Sequence, residues 1–210
     1  MSVSVIIFDC DGVMFDSRQA NVNFYNHILS NFGLPPLTDK DVEFVHMHAV
    51  VESLHHIFQG TPYAARALDY RLKVDYTPFI KGMVMEPGLK ELLAAIKPEY
   101  GLAVATNRSN TIGEVLAMYG LSSYFDIVVS SLDVQNPKPH PASIFKILDF
   151  FSITPQECVY VGDSEVDFKV CQASGVPLIA YKNKALKAKI HVQSMAEIKE
   201  LLMPLGRLST

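Results

Sequence analysis

The sequence predicts an α/β protein: a parallel sheet of five strands in three layers, interrupted once by an all-helical insertion. Three observations predict it. From Met85 onward, short apolar runs alternate with helical stretches, the pattern of strands joined by crossover helices. A further apolar run, Val3 to Phe8, opens the chain and reads as a strand buried on both faces. Between these two regions lies a segment with helical periodicity and no strand signal.

The opening run ends abruptly in Asp9-Cys10-Asp11-Gly12. Side chains alternate along a strand, so Asp9 and Asp11 point the same way at its carboxyl end. Ser17 then suits the N-cap of a helix with apolar positions at Ala20, Phe24, Ile28 and Phe32, ending near Gly33-Leu34-Pro35-Pro36. Thr38-Asp39-Lys40-Asp41 starts a second helix, and helical patterns recur through Tyr76 with a break near Gly60-Thr61-Pro62. Hinges near Asp16 and Lys81-Gly82 divide the chain into a Rossmann-like core, residues 1–15 and 86–210, and a helical cap, residues 16–85. In the core, Glu86-Pro87-Gly88 opens a helix through Ile96. Strands are expected at Gly101–Ala105, Ile127–Val129, Val159–Val161 and Leu178–Tyr181. The helices between them close at Gly120, run from Pro141 to Phe151, and run from Val166 to Ser174 with Gly175 as the stop. A last amphipathic helix spans Ser194 to Met203.

Composition narrows the function. The 210 residues are 49% hydrophobic and 19% charged, as in a globular protein. A net charge of -4 argues against nucleic acid or an anionic membrane as partner. The first strand begins at the third residue with no basic leader, and no apolar stretch is long enough to span a bilayer. The three cysteines, Cys10, Cys158 and Cys171, fall inside expected core elements and form no CxxC pair, so a cytoplasmic protein with free thiols is expected. Cys10 alternates away from the two aspartates and is not expected to be a nucleophile.

Paired carboxylates where a buried parallel strand ends point to a site, because ligands bind at that edge of open α/β sheets. Three more polar clusters follow successive strands: Thr106-Asn107-Arg108, then Asn136-Pro137-Lys138-Pro139, then Gly162-Asp163-Ser164-Glu165-Val166-Asp167. Each alone is a common turn or cap. Together they set a hydroxyl, an ammonium and several carboxylates at one sheet edge. That set suits phosphoryl transfer: carboxylates for a hard cation, a cation and hydroxyl for phosphoryl oxygens, and a carboxylate as covalent nucleophile. The chain has no Gly-Lys-Ser/Thr phosphate loop, which excludes a P-loop nucleotide protein.

The ordered set Asp9-x-Asp11-Gly12-Val13, Thr106-Asn107, Lys138-Pro139 and Gly162-Asp163-x-x-x-Asp167 resembles the four motifs of the haloacid dehalogenase superfamily. It looks most like the phosphoglycolate phosphatase and β-phosphoglucomutase branch, over essentially the whole chain. The resemblance implies that Asp9 is the nucleophile and that Asp11 protonates the leaving oxygen and then activates water. It implies that Thr106 and the Asn107 amide bind the phosphoryl group and that Lys138 neutralises charge between Asp9 and phosphate. Mg²⁺ would sit on the Asp9 carboxylate, the Asp11 carbonyl and Asp163, with Asp167 steadying the cluster from behind. Asp11 also argues against dehalogenation, since dehalogenases of the superfamily lack that carboxylate.

The implied activity is a Mg²⁺-dependent phosphatase acting on a small phosphorylated metabolite, as a monomer or homodimer. A phosphomutase is the alternative, but that branch carries a cap histidine where this chain has Asn21. A non-catalytic binding protein is a third reading, opposed by the intact acidic, hydroxyl and lysine set. Arg108 is the expected substrate contact or else a structural ion pair. His48, Glu52 and His56 recur at helical spacing and are read as a polar helix face rather than a metal site. Arg18, Arg66, Arg71, Lys73 and Lys81 are expected mostly on the surface, with one of them reaching the substrate from the cap.

Overall fold

The computed structural model describes residues 3–202. Its strands are β1 (Val5–Phe8), β2 (Phe15–Asp16), β3 (Val84–Met85), β4 (Gly101–Ala105), β5 (Ile127–Val129), β6 (Cys158–Gly162), β7 (Leu178–Tyr181) and β8 (Ile190–Val192). The helices of the insertion are α1 (Arg18–Asn31), α2 (Asp39–Met47), α3 (Val50–Ile57), α4 (Ala64–Arg71) and α5 (Thr77–Ile80). Those of the core are α6 (Leu89–Ile96), α7 (Ile112–Met118), α8 (Ala142–Phe151), α9 (Glu165–Ser174) and α10 (Met195–Leu202). Met203, expected as the end of the last helix, lies outside the described residues. Among the described residues no helix is long and apolar enough to cross a membrane.

Six strands form one parallel sheet in the order β5-β4-β1-β6-β7-β8. The expected five are all present. The sixth, β8, was not anticipated, because of its three residues only Val192 is buried and it has no apolar run to announce it. The alternation of β1 divides the core in two. Ile6 and Phe8 pack with Leu102, Val104, Val161 and the helices on one face. Val5 and Ile7 pack with Ala103, Ala105, Tyr160 and the residues of α8 and α9 on the other. This period of two, applied to strands buried on both sides, is why the sequence shows unbroken apolar runs.

The insertion is helical throughout. Thr38 caps α2 with a full capping box, its hydroxyl accepting from the Asp41 N–H. Ser17 precedes α1 but makes no cap, because its hydroxyl is used elsewhere. Both crossings between core and insertion run through a small antiparallel ribbon that sequence reading missed, with Phe15 opposite Met85 and Asp16 opposite Val84. Two residues per strand are too few to show a period.

Candidate active site

β1 lies between β4 and β6, so the connections on its two sides diverge at its carboxyl end and leave a crevice there. Loops after β1, β4, β5 and β6 bring Asp9, Asp11, Thr106, Asn107, Arg108, Lys138 and Asp163 to one cavity of about 270 Å³. Asn21, Tyr25, His46, Arg71 and Tyr76 of the insertion line the same cavity. The residues singled out in the sequence are therefore gathered at one place, with Asp167 fully buried beneath them.

Each of the two leading aspartates has one oxygen pinned. Asp9 Oδ1 accepts from the Cys10 N–H at 2.7 Å and from Lys138 Nζ at 2.9 Å. Asp11 Oδ1 accepts from Arg108 Nη2 at 2.6 Å and from the Ser17 hydroxyl. Among the described residues, the second oxygen of each has no such anchor. A carboxylate held by one oxygen is oriented, and its other oxygen is free for chemistry.

Their electrostatics differ. Burial, and next the Asp167 charge, push the Asp9 carboxyl well above its usual range, with Lys138 pulling the other way. For Asp11, burial also acts upward, but the Arg108 charge and hydrogen bond outweigh it and hold the carboxyl below its ordinary value. Burial, followed by repulsion from Asp167, raises Asp163 to about 7. Burial alone would lower Lys138, yet Asp167 and Asp9 keep its ammonium charged and raise its pKa.

Asp167 is the anchor of the cluster. It completes the capping box of α9 with Ser164, accepting from the Ser164 N–H at 3.2 Å and hydroxyl at 2.7 Å. Its other oxygen accepts from Lys138 Nζ at 2.7 Å and the Tyr160 hydroxyl at 2.8 Å. One residue thus ties the start of a helix to the buried lysine. Asn107 adds a second tie, donating from Nδ2 to the Lys138 carbonyl at 3.0 Å, while its buried Oδ1 has no partner. Thr106 Oγ1 accepts from the Arg108 N–H at 3.1 Å, which shapes the turn after β4.

Oxygen atoms of Asp9, Asp163 and Asp167 lie within 4.8 Å of one another. An all-carboxylate cluster of this size fits a hard divalent cation such as Mg²⁺. Asp167 is already surrounded by donors on both oxygens, so Asp9 and Asp163 are the carboxylates with coordination capacity to spare. The Asp11 carboxylate is outside the cluster, turned to Arg108 and Ser17.

Gly12 makes room for this cluster. Its φ is +81°, and a Cβ there would stand 2.1 Å from Asp163 Oδ2. Gly12→Ala is expected to cost about 1 kcal/mol or more in backbone strain and to push Asp163 out of place. Thermal denaturation and Mg²⁺ titration should both show a loss; a variant equal to wild type in both contradicts this packing.

Several residues escaped sequence reading. Tyr160 in mid-strand looked like core, and Ser17 looked like a cap; both serve the acidic residues instead. Of the five cations expected to supply one residue to the site from the cap, Arg71 is the one that lines the cavity. Arg108 is a buried ion-pair partner of Asp11 and also reaches the Tyr76 hydroxyl at 3.3 Å. His48 and Glu52 approach to 3.8 Å, but His56 turns to Asp41 at 3.1 Å, and both histidines stack on Phe44. They do not form a metal site with one another among the described residues. Asn21 accepts from the Tyr76 hydroxyl at 3.3 Å. Cys10 is buried, and burial followed by the Asp11 charge pushes its thiol well up, which suits a core residue and not a nucleophile.

Comparison with known proteins agrees with this geometry. Residues 6–181 match the family model of the haloacid dehalogenase-like hydrolases. A plasmid phosphoglycolate phosphatase of Cupriavidus necator is 27% identical over 218 residues, covering 96% of this chain and 94% of that protein. A haloacid dehalogenase superfamily hydrolase of subfamily IA from Geobacter sulfurreducens is 40% identical, with a TM-score of 0.78 over 95% of this chain and 96% of its own. A β-phosphoglucomutase from Clostridium difficile shares the fold at a TM-score of 0.82, with 21% identity over 93% of each chain. With its motifs gathered at one sheet edge and the family model matched from the first strand to the strand ending at Tyr181, this chain belongs to the haloacid dehalogenase-like hydrolases.

Proposed function

We propose that the protein is a Mg²⁺-dependent phosphatase that hydrolyses a small phosphomonoester through an aspartyl-phosphate on Asp9. The observation that carries this reading is the pair of aspartates on one cavity floor, each fixed by a buried cation through one oxygen. Asp9, with Oδ1 held by Lys138 and the Cys10 N–H, presents its other oxygen to phosphorus. The ionised Asp11 takes the proton of the phosphomonoester monoanion and passes it to the leaving ester oxygen, and the same carboxylate then takes a proton from the water that attacks the phosphorylated Asp9. Since Arg108 and Ser17 both bind Oδ1 of Asp11, Oδ2 is the oxygen that carries the proton. Lys138 offsets charge shared between Asp9 and the phosphoryl oxygens, and Thr106 with the Asn107 amide binds those oxygens. Asp9, Asp163 and the Asp11 carbonyl would hold Mg²⁺, which when bound supplies charge neutralisation for the phosphoryl group.

The helical insertion acts as a cap over the site, and the modest cavity suits a metabolite of few atoms. Against a mutase, position 21 holds an asparagine, which accepts from the Tyr76 hydroxyl. The test is phosphate release from a panel of small phosphomonoesters with Mg²⁺, and with excess chelator. Release that needs Mg²⁺ and stops with the chelator is expected; full activity in chelator overturns the metal assignment.

Asp163 adds a pH dependence. Its folded pKa of about 7 lies above the ordinary carboxylate value. Protonation therefore stabilises the metal-free fold at low pH, and that contribution is lost as pH rises through about 7. Mg²⁺ requires the ionised form, so apparent Mg²⁺ affinity is expected to weaken by up to about tenfold per pH unit below that point. Mg²⁺ titrations across neutral pH check this, and a flat affinity contradicts it.

A further inference from the structure

Three features outside the mechanism meet in one place. Glu86, directly after β3, is a buried carboxylate. Lys182, directly after β7, has a left-handed backbone, φ +52°, which is uncommon for a residue with a Cβ. Asn183, next in the chain, donates from Nδ2 to the Asp163 carbonyl at 2.7 Å. Lys182 Nζ donates to both oxygens of Glu86, at 2.8 and 2.7 Å, and the Tyr181 hydroxyl donates to Oε2 at 3.0 Å. The Lys182 N–H is held as well, by the Val192 carbonyl at 2.8 Å. A left-handed residue persists where its surroundings over-determine it, and here they do so from both ends of the lysine. Asn183 Oδ1 accepts from the Ala185 N–H at 3.0 Å, so Nδ2 is the atom left to face the Asp163 carbonyl. On the other side, the Glu86 N–H donates to the Met14 carbonyl at 3.0 Å, in the turn that follows Asp11. Glu86 therefore touches the turn after β1 directly, and the turn after β6 through Lys182 and Asn183.

We infer that Asn183 is a positioning residue for Asp163, held in place by the Lys182–Glu86 pair, so that contacts outside the acidic cluster set part of the affinity for Mg²⁺. This rests on the assignment of Asp163 as a Mg²⁺ ligand. The main chain of Asp163 is tied at both polar groups: its N–H donates to Asp167 Oδ2 at 3.2 Å, and its carbonyl accepts from Asn183. Fixing both ends restricts where the carboxylate can point. Mg²⁺ demands near-ideal geometry, so a ligand free to swing holds it less well. The ties differ in origin. Asp167 belongs to the buried cluster beneath the site, whereas Asn183 comes from the far side of β7 and is anchored beside the ribbon that leads to the insertion.

Calorimetric titration of the substrate-free protein with Mg²⁺ tests this in wild type, Asn183→Ala, Asn183→Ser, Lys182→Met and Lys182→Arg. Serine keeps an acceptor for the Ala185 N–H but lacks the amide that reaches Asp163. Both Asn183 variants are expected to bind Mg²⁺ about tenfold more weakly, with metal-free melting temperatures matching wild type. Lys182→Met should weaken binding by a smaller factor, and Lys182→Arg, which keeps a donor for Glu86, should restore it. Removing a cation would by Coulomb attraction alone strengthen Mg²⁺ binding, so a weakening reports position and not charge. Adding Lys182→Met to Asn183→Ser should cause no further loss, because the lysine acts through the asparagine. Wild-type affinity in the Asn183 variants overturns the positioning role, as does a melting temperature well below wild type, which would mark a purely structural tie. Tighter binding by Lys182→Met, or full additivity in the double variant, overturns the part given to the Lys182–Glu86 pair. If wild type itself binds no Mg²⁺, the metal assignment fails and the positioning role falls with it; a loss confined to the variants leaves that assignment standing.

Discussion

Asp9→Asn is expected to stay folded and to lose about three orders of magnitude or more in phosphate release, as the proposed nucleophile role requires. The asparagine keeps the shape, and its oxygen still accepts from the Cys10 N–H. Lys138 keeps Asp167 at 2.7 Å, so no buried cation is stranded. The charge removed is an unfavourable one, since burial and Asp167 both press Asp9 toward its neutral form. The metal-free variant should therefore melt no lower than wild type. A folded Asp9→Asn protein with near-normal turnover removes Asp9 from the nucleophile role.

Lys138→Met is expected to fail differently, losing both stability and activity. Methionine fills the space but leaves Asp9 and Asp167 buried against each other without the cation between them. Breaking a buried charge pair in this way costs about 3–5 kcal/mol, enough to lower the melting temperature clearly. The Tyr160 hydroxyl also loses its neighbour at 2.8 Å. Adding Asp9→Asn to Lys138→Met should return part of the lost stability, because one of the two unpaired carboxylates is gone. The double-mutant cycle measures that coupling. A Lys138→Met protein that melts with wild type, or a double variant no better than the single, argues against the three-residue charge cluster.

The sheet was legible because its strands are buried on both faces, so Val3 to Phe8 and Gly101 to Ala105 stand out as apolar runs without any partner in view. What escaped was short or exposed. Strand Ile190–Val192 lies at the sheet edge with two exposed residues, and the ribbon at Phe15–Asp16 takes its geometry from a partner nearly seventy positions away. The floor of the site was legible for a related reason: carboxylates and a lysine are out of place at the end of a buried strand. Tyr160 and Ser17 were not legible, because a tyrosine in a strand and a serine before a helix are at home there. Arg71 was legible only as one of five candidate cations. Its helix carries Arg66 and Asp69 as well, and nothing in the local sequence distinguishes the arginine that lines the cavity from the one that packs over the Phe32 and Tyr63 rings.

The ribbon at Asp16 and Val84 makes the chain leave and return at a single doorway. Seen from the sheet, everything between those residues is one long excursion whose two ends already sit side by side. A short turn joining them would complete a hairpin and leave every strand of the sheet with its neighbours unchanged. The architecture therefore resembles a socket: a change within the helical insertion need not move the strands that hold the aspartates and lysine below. Met14, Phe15, Ile80 and Met83, all buried around the doorway, form the collar that any replacement must fit.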